Sequence, residues 1–178
     1  MLDEASPLPS PWREFLFDID ALLEEPLALH CIGGFVICYC YGLPRVTGDI
    51  DYYSAHPNDP KLDEMAGEGS PLALKHKVWL HRVAVMSMPD EYDSRLTDMF
   101  PGQFTNLVLN APDPYDFMLS KLERNASKDR DDVEFVFKKQ KLSFPILRER
   151  YEKELRPYLS NEAKHDLTLE IWFENFGT

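Results

Sequence analysis

The sequence predicts an α/β fold with a helical C-terminal part, and three observations support this prediction. Short apolar runs bounded by Gly and Pro alternate with segments of helical spacing over roughly the first two thirds of the chain. From Pro114 onwards, helical spacing dominates. A chain of 178 residues is long enough for one domain, or for one domain with a small helical annex. We therefore expect an α/β core with an N-terminal helix over residues 1–112, and a helical part over residues 113–178 that packs on it as a single compact unit.

The first elements are predicted from helix caps, apolar runs and glycines. Residues 10–11, Ser-Pro, are typical of a helix start, and apolar residues follow them at helical spacing. Residues 27–32 form a short apolar run that ends at Gly33-Gly34, which predicts a buried strand entering a tight turn. The apolar segment 35–41 fits a buried helix or a strand, and we expect a short helix packed on the sheet.

Short strands and turn-rich loops are predicted next. Residues 49–53 should form a second strand, with both aspartates on one face and Ile50 and Tyr52 on the other. Residues 54–70 are rich in Pro, Gly, Asn and Asp, which predicts a loop containing a short helix. The remaining predicted elements are a helical turn over 71–75, a strand or hairpin over 78–86, a strand over 107–109, and helices over 114–122, 131–141, 143–158 and 161–173.

Charge and composition exclude several classes of protein. The chain has 31 acidic and 19 basic residues and a net charge of −12, which argues against broad nucleic-acid binding, so no DNA partner is expected. No apolar run approaches the roughly 20 residues that span a bilayer, and residues 1–4 are acidic and lack a signal-peptide pattern, so we expect no membrane contact. Three cysteines in one apolar stretch suit buried thiols in a reducing cytosol, which predicts a cytoplasmic protein.

Two charged segments have simple structural interpretations. Asp18 and Asp20 most simply belong to a solvated helix face. A basic run near the C-terminus fits an exposed helix surface, with contact to RNA or an acidic partner as the alternative. This run consists of Lys138, Lys139, Lys141, Arg148 and Arg150.

The sharpest candidate for chemistry is Gly33-Gly34 followed, after fourteen residues, by Asp49-Ile50-Asp51. Two carboxylates separated by one strand residue project to the same side, which is unfavourable unless they are solvated or neutralised by a cation such as Mg²⁺. A Gly-Gly turn lets backbone N–H groups come close to a phosphate. The combination describes a site for a metal-bound nucleoside triphosphate.

The Asp-x-Asp triplet is by itself a weak motif, because the chain contains three of them. Only the triplet at Asp49 and Asp51 has a predicted strand context and glycines upstream. From the residues alone, a metal site and a solvated strand edge remain equally open.

Two ordered blocks of sequence carry a more specific signal. The first consists of HCIGGF at residues 30–35 and GLPRVTGDIDY at residues 42–52. The second consists of PDPYDFMLSKL at residues 112–122 and KDRDDV at residues 128–133. Together they resemble the nucleotidyltransferase superfamily, in the branch of AbiEii-like and DUF6036-like proteins, whose signatures are G-G…h-G-x-x-R-x-T-x-D-[IL]-D and K-L…R/K-D-x-x-D. The resemblance covers roughly residues 27–137.

The resemblance implies a polymerase-β-like nucleotidyltransferase fold with a small mixed sheet flanked by helices. It also implies Mg²⁺-dependent transfer of a nucleoside monophosphate from a nucleoside triphosphate (NTP). In that superfamily the Asp-x-Asp carboxylates hold Mg²⁺, so Asp49 and Asp51 are the expected catalytic residues and metal ligands, for one or two ions. The amides around Gly33 and Gly34 are expected to bind the β- and γ-phosphates.

Further site residues are expected from the same resemblance. Arg45 and Thr47 are expected at the nucleotide, although Arg45 could instead pair structurally with Asp51. Lys121 is expected to be catalytic and to bind the triphosphate as a point charge. A possible second acidic pair, which would orient Lys121 or act at the site directly, consists of Asp129 and Asp132.

The resemblance also suggests a biological role and its alternatives. We expect a toxin of a toxin–antitoxin or phage-defence pair, with tRNA or a protein as acceptor and a cognate antitoxin as partner. The sequence departs from the superfamily pattern in having Gly34 where many members have Ser, and in lacking an acid over residues 78–86 and 107–109. The alternatives are a catalytically inactive protein that binds a nucleotide or a partner, and an antitoxin-type protein adenylyltransferase.

Overall fold

The computed structural model describes residues 8–58 and 60–176, which divide into two compact units. The first unit contains the described residues up to Ala84 together with Thr97–Ala111. The second contains Val85–Leu96 together with the described residues from Pro112 onwards. One junction between the units therefore lies within a residue of the expected boundary at 112–113, while packing as a single compact unit stays a prediction.

The first unit is built on a five-stranded mixed sheet with the strand order β3-β2-β1-β5-β4. β2 runs antiparallel to β1 and parallel to β3, while β5 runs parallel to β1 and antiparallel to β4. This sheet confirms the predicted α/β class and the small mixed sheet, although the two-residue strand β4 is too short to leave a periodic pattern in the sequence. The strands are β1 (Leu27–Ile32), β2 (Asp49–His56), β3 (Trp79–Arg82), β4 (Thr97–Asp98) and β5 (Leu107–Ala111).

Four helices flank this sheet in the first unit. Helix α1 packs against α4 and β5, and α2 packs against β1 and β2. The packed face of α1 carries apolar residues at helical spacing, of which Phe15, Leu16 and Ile19 are completely buried. Residues 35–41, for which the sequence allows a helix or a strand, lie mostly in α2, so the expected short helix is confirmed. The four helices are α1 (Trp12–Leu22), α2 (Gly33–Tyr39), α3 (Leu62–Ala66) and α4 (Pro71–His76).

Asp20 on α1 is buried, so the interpretation that it lies on a solvated helix face is wrong. Its side chain is enclosed at 8% exposure, and its carboxylate accepts hydrogen bonds from the backbone amides of Thr105, Asn106 and Leu107. Burial by itself raises the pKa of Asp20, but these amides outweigh burial and hold the pKa below its ordinary value. Asp20 therefore fixes the start of β5 against α1, whereas Asp18 does lie at the surface in an ion pair with α4.

The second unit is helical, as predicted, and its core is aromatic. The rings of the buried Phe137 and Phe144 have centroids 4.4 Å apart, and Phe173, which is 44% exposed, lies at the edge of this core with its ring 4.6 Å from that of Phe144. Trp172 is completely buried, with its ring centroid 6.3 Å from that of Phe176. The helices of this unit are α5 (Pro114–Leu119), α6 (Ser127–Gln140), α7 (Phe144–Arg150) and α8 (Glu162–Phe176).

Residues 85–96 belong to the second unit, although the sequence places them in the α/β part. An ion-pair network holds them there. Arg95 contacts Asp116 at 2.7 Å and Glu154 at 2.6 Å, and Asp116 is completely buried. Burial raises the pKa of Asp116 even though Arg95 opposes the shift. Because Asp116 and Glu154 both lie in the second unit, the ion pairs of Arg95 hold residues 85–96 in that unit.

The helix predicted over residues 143–158 is interrupted. After α7 the chain forms one π-helical turn at Tyr151–Leu155 and a 3-10 turn at Arg156–Tyr158. Pro157 lacks an N–H group and cannot continue α-helical bonding. In addition, the amide of Asp90 donates a hydrogen bond to the carbonyl of Glu154 at 2.9 Å, so that carbonyl has a partner outside the helix.

No helix within residues 8–58 and 60–176 is long and apolar enough to cross a bilayer. Residues 1–4, on which the expectation of no signal peptide partly rests, lie outside the described residues. None of the three cysteines is in a disulfide, and Cys31 on β1 is completely buried.

Candidate metal and nucleotide site

The Asp-x-Asp motif lies at the start of β2, in the strand conformation that its sequence predicts. Strand alternation separates the two faces of this segment. Ile50 and Tyr52 point into the core with 0% and 2% exposure. Asp49 and Asp51 point to the opposite face and are partly exposed. The two carboxylates are therefore close to each other and open to solvent on one side.

The neighbouring strand brings a third side chain to these carboxylates. In the parallel pairing of β2 and β3, Asp51 is in register with His81. The Nδ1 atom of His81 lies 2.8 Å from the Oδ1 atom of Asp51, within hydrogen-bond distance. One potential ligand atom from each of Asp49, Asp51 and His81 lies within 4.8 Å of the other two. This is a compact set of two oxygen donors and one nitrogen donor.

The hydrogen bond to Asp51 also affects the titration of His81. It raises the pKa of His81, and the negative charges of Asp51 and Asp49 act in the same direction. Partial burial opposes the shift but does not cancel it. The imidazole side chain remains 57% exposed, so it is accessible to an ion or a ligand from solvent.

Gly33 lies directly against the carboxylate of Asp51. A Cβ atom at Gly33 would lie 2.3 Å from the Oδ2 atom of Asp51, much closer than real Cβ contacts allow. Gly33 also has a φ of +69°, a conformation that L side chains rarely adopt. Pairing of Ile32 with Asp51 between β1 and β2 holds the two segments in this position. Only glycine therefore permits this approach of the turn to the motif.

Gly34 lies against the segment that leads into β2. A Cβ atom at Gly34 would lie 2.9 Å from the hydroxyl oxygen of Thr47 and 3.9 Å from the Nη2 atom of Arg45. The hydroxyl of Thr47 donates to Asp49 at 3.2 Å. The thiol of Cys38 on α2 is within 3.1 Å of the carbonyl oxygen of Arg45. The structure thus brings together the residues of the first motif block around the two glycines.

Lys121, Asp129 and Asp132 form a buried cluster inside the second unit. Lys121 is 6% exposed, and its ammonium group lies 3.3 Å from Asp129 Oδ1 and 3.0 Å from Asp132 Oδ2. Arg124 also binds Asp129. Although burial raises the pKa of Asp129, the hydrogen bond from Arg124 and the charge of Lys121 hold it below its ordinary value. The acidic pair therefore binds the ammonium group of Lys121, while the roles of all three residues at a nucleotide stay predictions.

His81 is the site residue that sequence reasoning misses. Strand β3 has no acid, so a search for a third carboxylate finds nothing there. The signal that could have found it is the pairing register of β2 and β3. Asp49 pairs with Trp79, so Asp51, two residues later, pairs with His81. With the strand bounds in hand, this register identifies His81 as the neighbour of Asp51.

The fold and this site together define a class of protein. A small mixed sheet that carries paired carboxylates beside a glycine turn is the arrangement expected of nucleotidyltransferases. Residues 15–177 match the family described as "Nucleotidyltransferase of unknown function (DUF6036)", and the chain belongs to this family. The match confirms the resemblance to the nucleotidyltransferase superfamily. Neither the curated proteins nor the solved structures contain a significant match.

Proposed function

We propose that this protein transfers a nucleoside monophosphate from a metal-bound NTP to a hydroxyl group of a macromolecule. The observation that carries the proposal is the convergence of Asp49, Asp51 and His81 within 4.8 Å, directly against Gly33. In the reaction, the acceptor hydroxyl gives up its proton to solvent, its oxygen bonds to the α-phosphorus, the bond between that phosphorus and the bridging oxygen breaks, and pyrophosphate leaves. A bound divalent cation would supply neutralisation of the charge that develops on the triphosphate.

The donor set fits a divalent cation. Two carboxylates this close repel each other in the absence of a positive charge, and carboxylate oxygens are ligands that hard divalent cations prefer. In the proposal, Asp49 and Asp51 hold the ion, with the third donor on β3. The expectation of Mg²⁺, with one or two ions, stays a prediction and is taken up below.

The glycine turn and its neighbours are the proposed triphosphate contacts. The backbone N–H groups around Gly33 and Gly34 are the proposed phosphate donors, because neither glycine carries a side chain of its own that would keep a phosphate away from the backbone. Arg45 and Thr47 lie beside Gly34, which suits a guanidinium and a hydroxyl that bind the same phosphates. For Lys121 the support is the resemblance alone, because Asp129 and Asp132 already bind its ammonium group.

The surface charges favour a protein over tRNA as the acceptor. Three cations of the basic run have acidic partners within the second unit: Lys138 with Glu134, Arg148 with Glu170, and Arg150 with Asp113. Cations that are already paired contribute less to binding of a phosphate backbone, and the net charge of −12 acts against it. We keep the toxin or phage-defence role and the cognate antitoxin as proposals that rest on the resemblance.

Nucleotide transfer can be measured directly. The purified protein is incubated with cell extract, a divalent cation and each NTP radiolabelled at the α-phosphate, and label in protein and in RNA is counted separately. We expect label in one fraction and its loss in Asp49→Asn and Asp51→Asn. Asp131→Asn, at an exposed aspartate of another Asp-x-Asp triplet, is the matched control and should keep full activity. Equal labelling by all four proteins would refute the proposal.

A second candidate function is nucleotide binding without transfer. It is favoured by one observation: neither β3 nor β5 carries the third carboxylate that active members of the superfamily often have. Calorimetry separates the two functions. Tight NTP binding without pyrophosphate release in any extract supports the binding protein, whereas pyrophosphate release that depends on Asp49 supports the transferase.

A further inference from the structure

Strand β3 brings an imidazole, that of His81, to the carboxylates of Asp49 and Asp51. Resting on the proposed function, we infer that His81 is the third metal ligand and that its nitrogen makes the site prefer a first-row transition-metal ion such as Mn²⁺ over Mg²⁺. Nucleotide transfer would then depend on Mn²⁺ or another first-row transition-metal ion, where the sequence predicts Mg²⁺.

The spacing of the donors fits shared coordination. Neighbouring ligands on an octahedral ion with bonds of about 2.1 Å lie about 3 Å apart. The separation of 2.8 Å between His81 Nδ1 and Asp51 Oδ1 is close to this value. Asp49 completes the set within 4.8 Å. The parallel register of β2 and β3, formed by main-chain pairing, makes Asp51 and His81 neighbours whether or not an ion is bound.

The kind of donor decides the preferred ion. Mg²⁺ is a hard cation that takes oxygen ligands almost exclusively and keeps several waters. An imidazole nitrogen is a softer donor, which first-row transition-metal ions accept more readily than Mg²⁺ does, with an affinity that rises from Mn²⁺ towards Cu²⁺. The nitrogen donor therefore shifts the preference of Asp49, Asp51 and His81 away from Mg²⁺.

A simpler interpretation is a surface hydrogen bond between His81 and Asp51. The imidazole is 57% exposed, and exposed ion pairs of this kind contribute little to stability. Under that interpretation His81 has no part in metal binding, so its replacement by Gln, which adds no carboxylate, leaves the ion preference unchanged. The two interpretations therefore differ in a measurable quantity, the ratio of Mn²⁺ affinity to Mg²⁺ affinity.

The first measurement is calorimetric titration of the untagged full-length protein with Mn²⁺ and with Mg²⁺, without nucleotide. We expect His81→Asp, which restores an all-oxygen set, to lower the ratio of Mn²⁺ to Mg²⁺ affinity by about tenfold or more. His81→Gln tests the loss of the imidazole without added charge. His56→Asn is the matched control, since His56 is exposed and hydrogen-bonds Ser54 near the other end of β2. It should leave the ratio unchanged.

The second measurement is pulsed electron paramagnetic resonance of bound Mn²⁺, which detects a directly coordinated nitrogen. We expect nitrogen coupling in the wild type and in His56→Asn, and its loss in His81→Asp and His81→Gln. Mn²⁺ that binds through Asp49 without nitrogen coupling, at an unchanged affinity ratio in His81→Asp, would overturn the inference and leave the proposed function intact. Mn²⁺ binding that is unaffected by Asp49→Asn and Asp51→Asn would instead overturn the proposed function.

Discussion

Asp20 is a buried carboxylate whose partners are three consecutive backbone amides, those of Thr105, Asn106 and Leu107. We expect Asp20→Asn to lower the free energy of unfolding by about 2 kcal/mol, because the charged acceptor of these bonds is lost. Urea denaturation near neutral pH measures the change. Asp131→Asn removes an exposed charge and should stay within about 0.5 kcal/mol of the wild type. Equal losses in the two variants would contradict this account of Asp20.

The lowered pKa of Asp20 also predicts how this contribution depends on pH. A carboxyl group with a lower pKa in the folded than in the unfolded state binds fewer protons when folded, so it stabilises the protein at high pH. Its contribution is complete above the ordinary Asp value of 3.8 and is lost as the pH falls through the lower folded-state value. The stability difference between the wild type and Asp20→Asn should be constant from about pH 7 to about pH 5 and shrink at more acidic pH. A difference that grows on acidification would contradict it.

Gly33 combines a positive φ with a close approach to Asp51, and a second glycine separates these two effects. Gly42 has a similar φ of +75°, but nothing lies within 4 Å of the position of its Cβ atom. We expect both Gly33→Ala and Gly42→Ala to lower the free energy of unfolding by about 1–2 kcal/mol, through backbone strain. Only Gly33→Ala should also weaken Mn²⁺ binding by about tenfold or more, because the new methyl group displaces the Asp51 carboxylate. Equal metal affinity in the two variants would argue against the site.

The site residues differ in how far the sequence alone could identify them. Asp49, Asp51 and Gly33 are recognisable because motif residues and strand context lie within one continuous block. His81 is not, because it lies 30 residues from Asp51 and the contact depends on the pairing register of two strands. The burial of Asp20 could not be predicted for a related reason. Its sequence position on α1 indicates a solvent-exposed side chain, and only the tertiary fold brings the amides at the start of β5 to its carboxylate.

At the scale of elements, the turn between α5 and α6 is held by Lys121 and two buried carboxylates. We expect Lys121→Met to lower the free energy of unfolding by about 3–5 kcal/mol, because Asp129 and Asp132 are left without this partner in a buried site. Lys128→Met, at an exposed lysine of α6, should change it by about 0.5 kcal/mol or less. Thermal and urea denaturation of both variants give the comparison. A variant at Lys121 with unchanged stability but lost NTP binding would show a direct role at the nucleotide.

Regular elements with a clear period are the ones that the sequence predicts well. β1, β2 and α1 follow from their apolar patterns and flanking glycines or prolines. The π-helical and 3-10 turns after α7 do not, since they depend on where Pro157 removes a donor and where the amide of Asp90 takes a carbonyl. Local pattern therefore predicts the elements, and long-range hydrogen bonds decide where they are interrupted.

At the scale of the whole molecule, the family match spans both units, from residue 15 to residue 177. The first motif block lies in the α/β unit and the second in the helical unit. Residues 85–96 could not be assigned to the helical unit from the sequence, because the assignment depends on the contacts of Arg95 with Asp116 and Glu154. The α/β fold class can be predicted from the sequence, whereas the place of residues 85–96 in the helical unit depends on the ion pairs of Arg95.

In the proposed site, one divalent cation is held by the two carboxylates of β2 and the imidazole of β3. A crystal structure with Mn²⁺ and a non-hydrolysable NTP, with an anomalous difference map at the manganese edge, measures this directly. We predict an anomalous peak within coordination distance of Asp49, Asp51 and His81, and a triphosphate that contacts the glycine turn. A map with ordered nucleotide but no peak there, and with His81 still hydrogen-bonded to Asp51, would contradict the account.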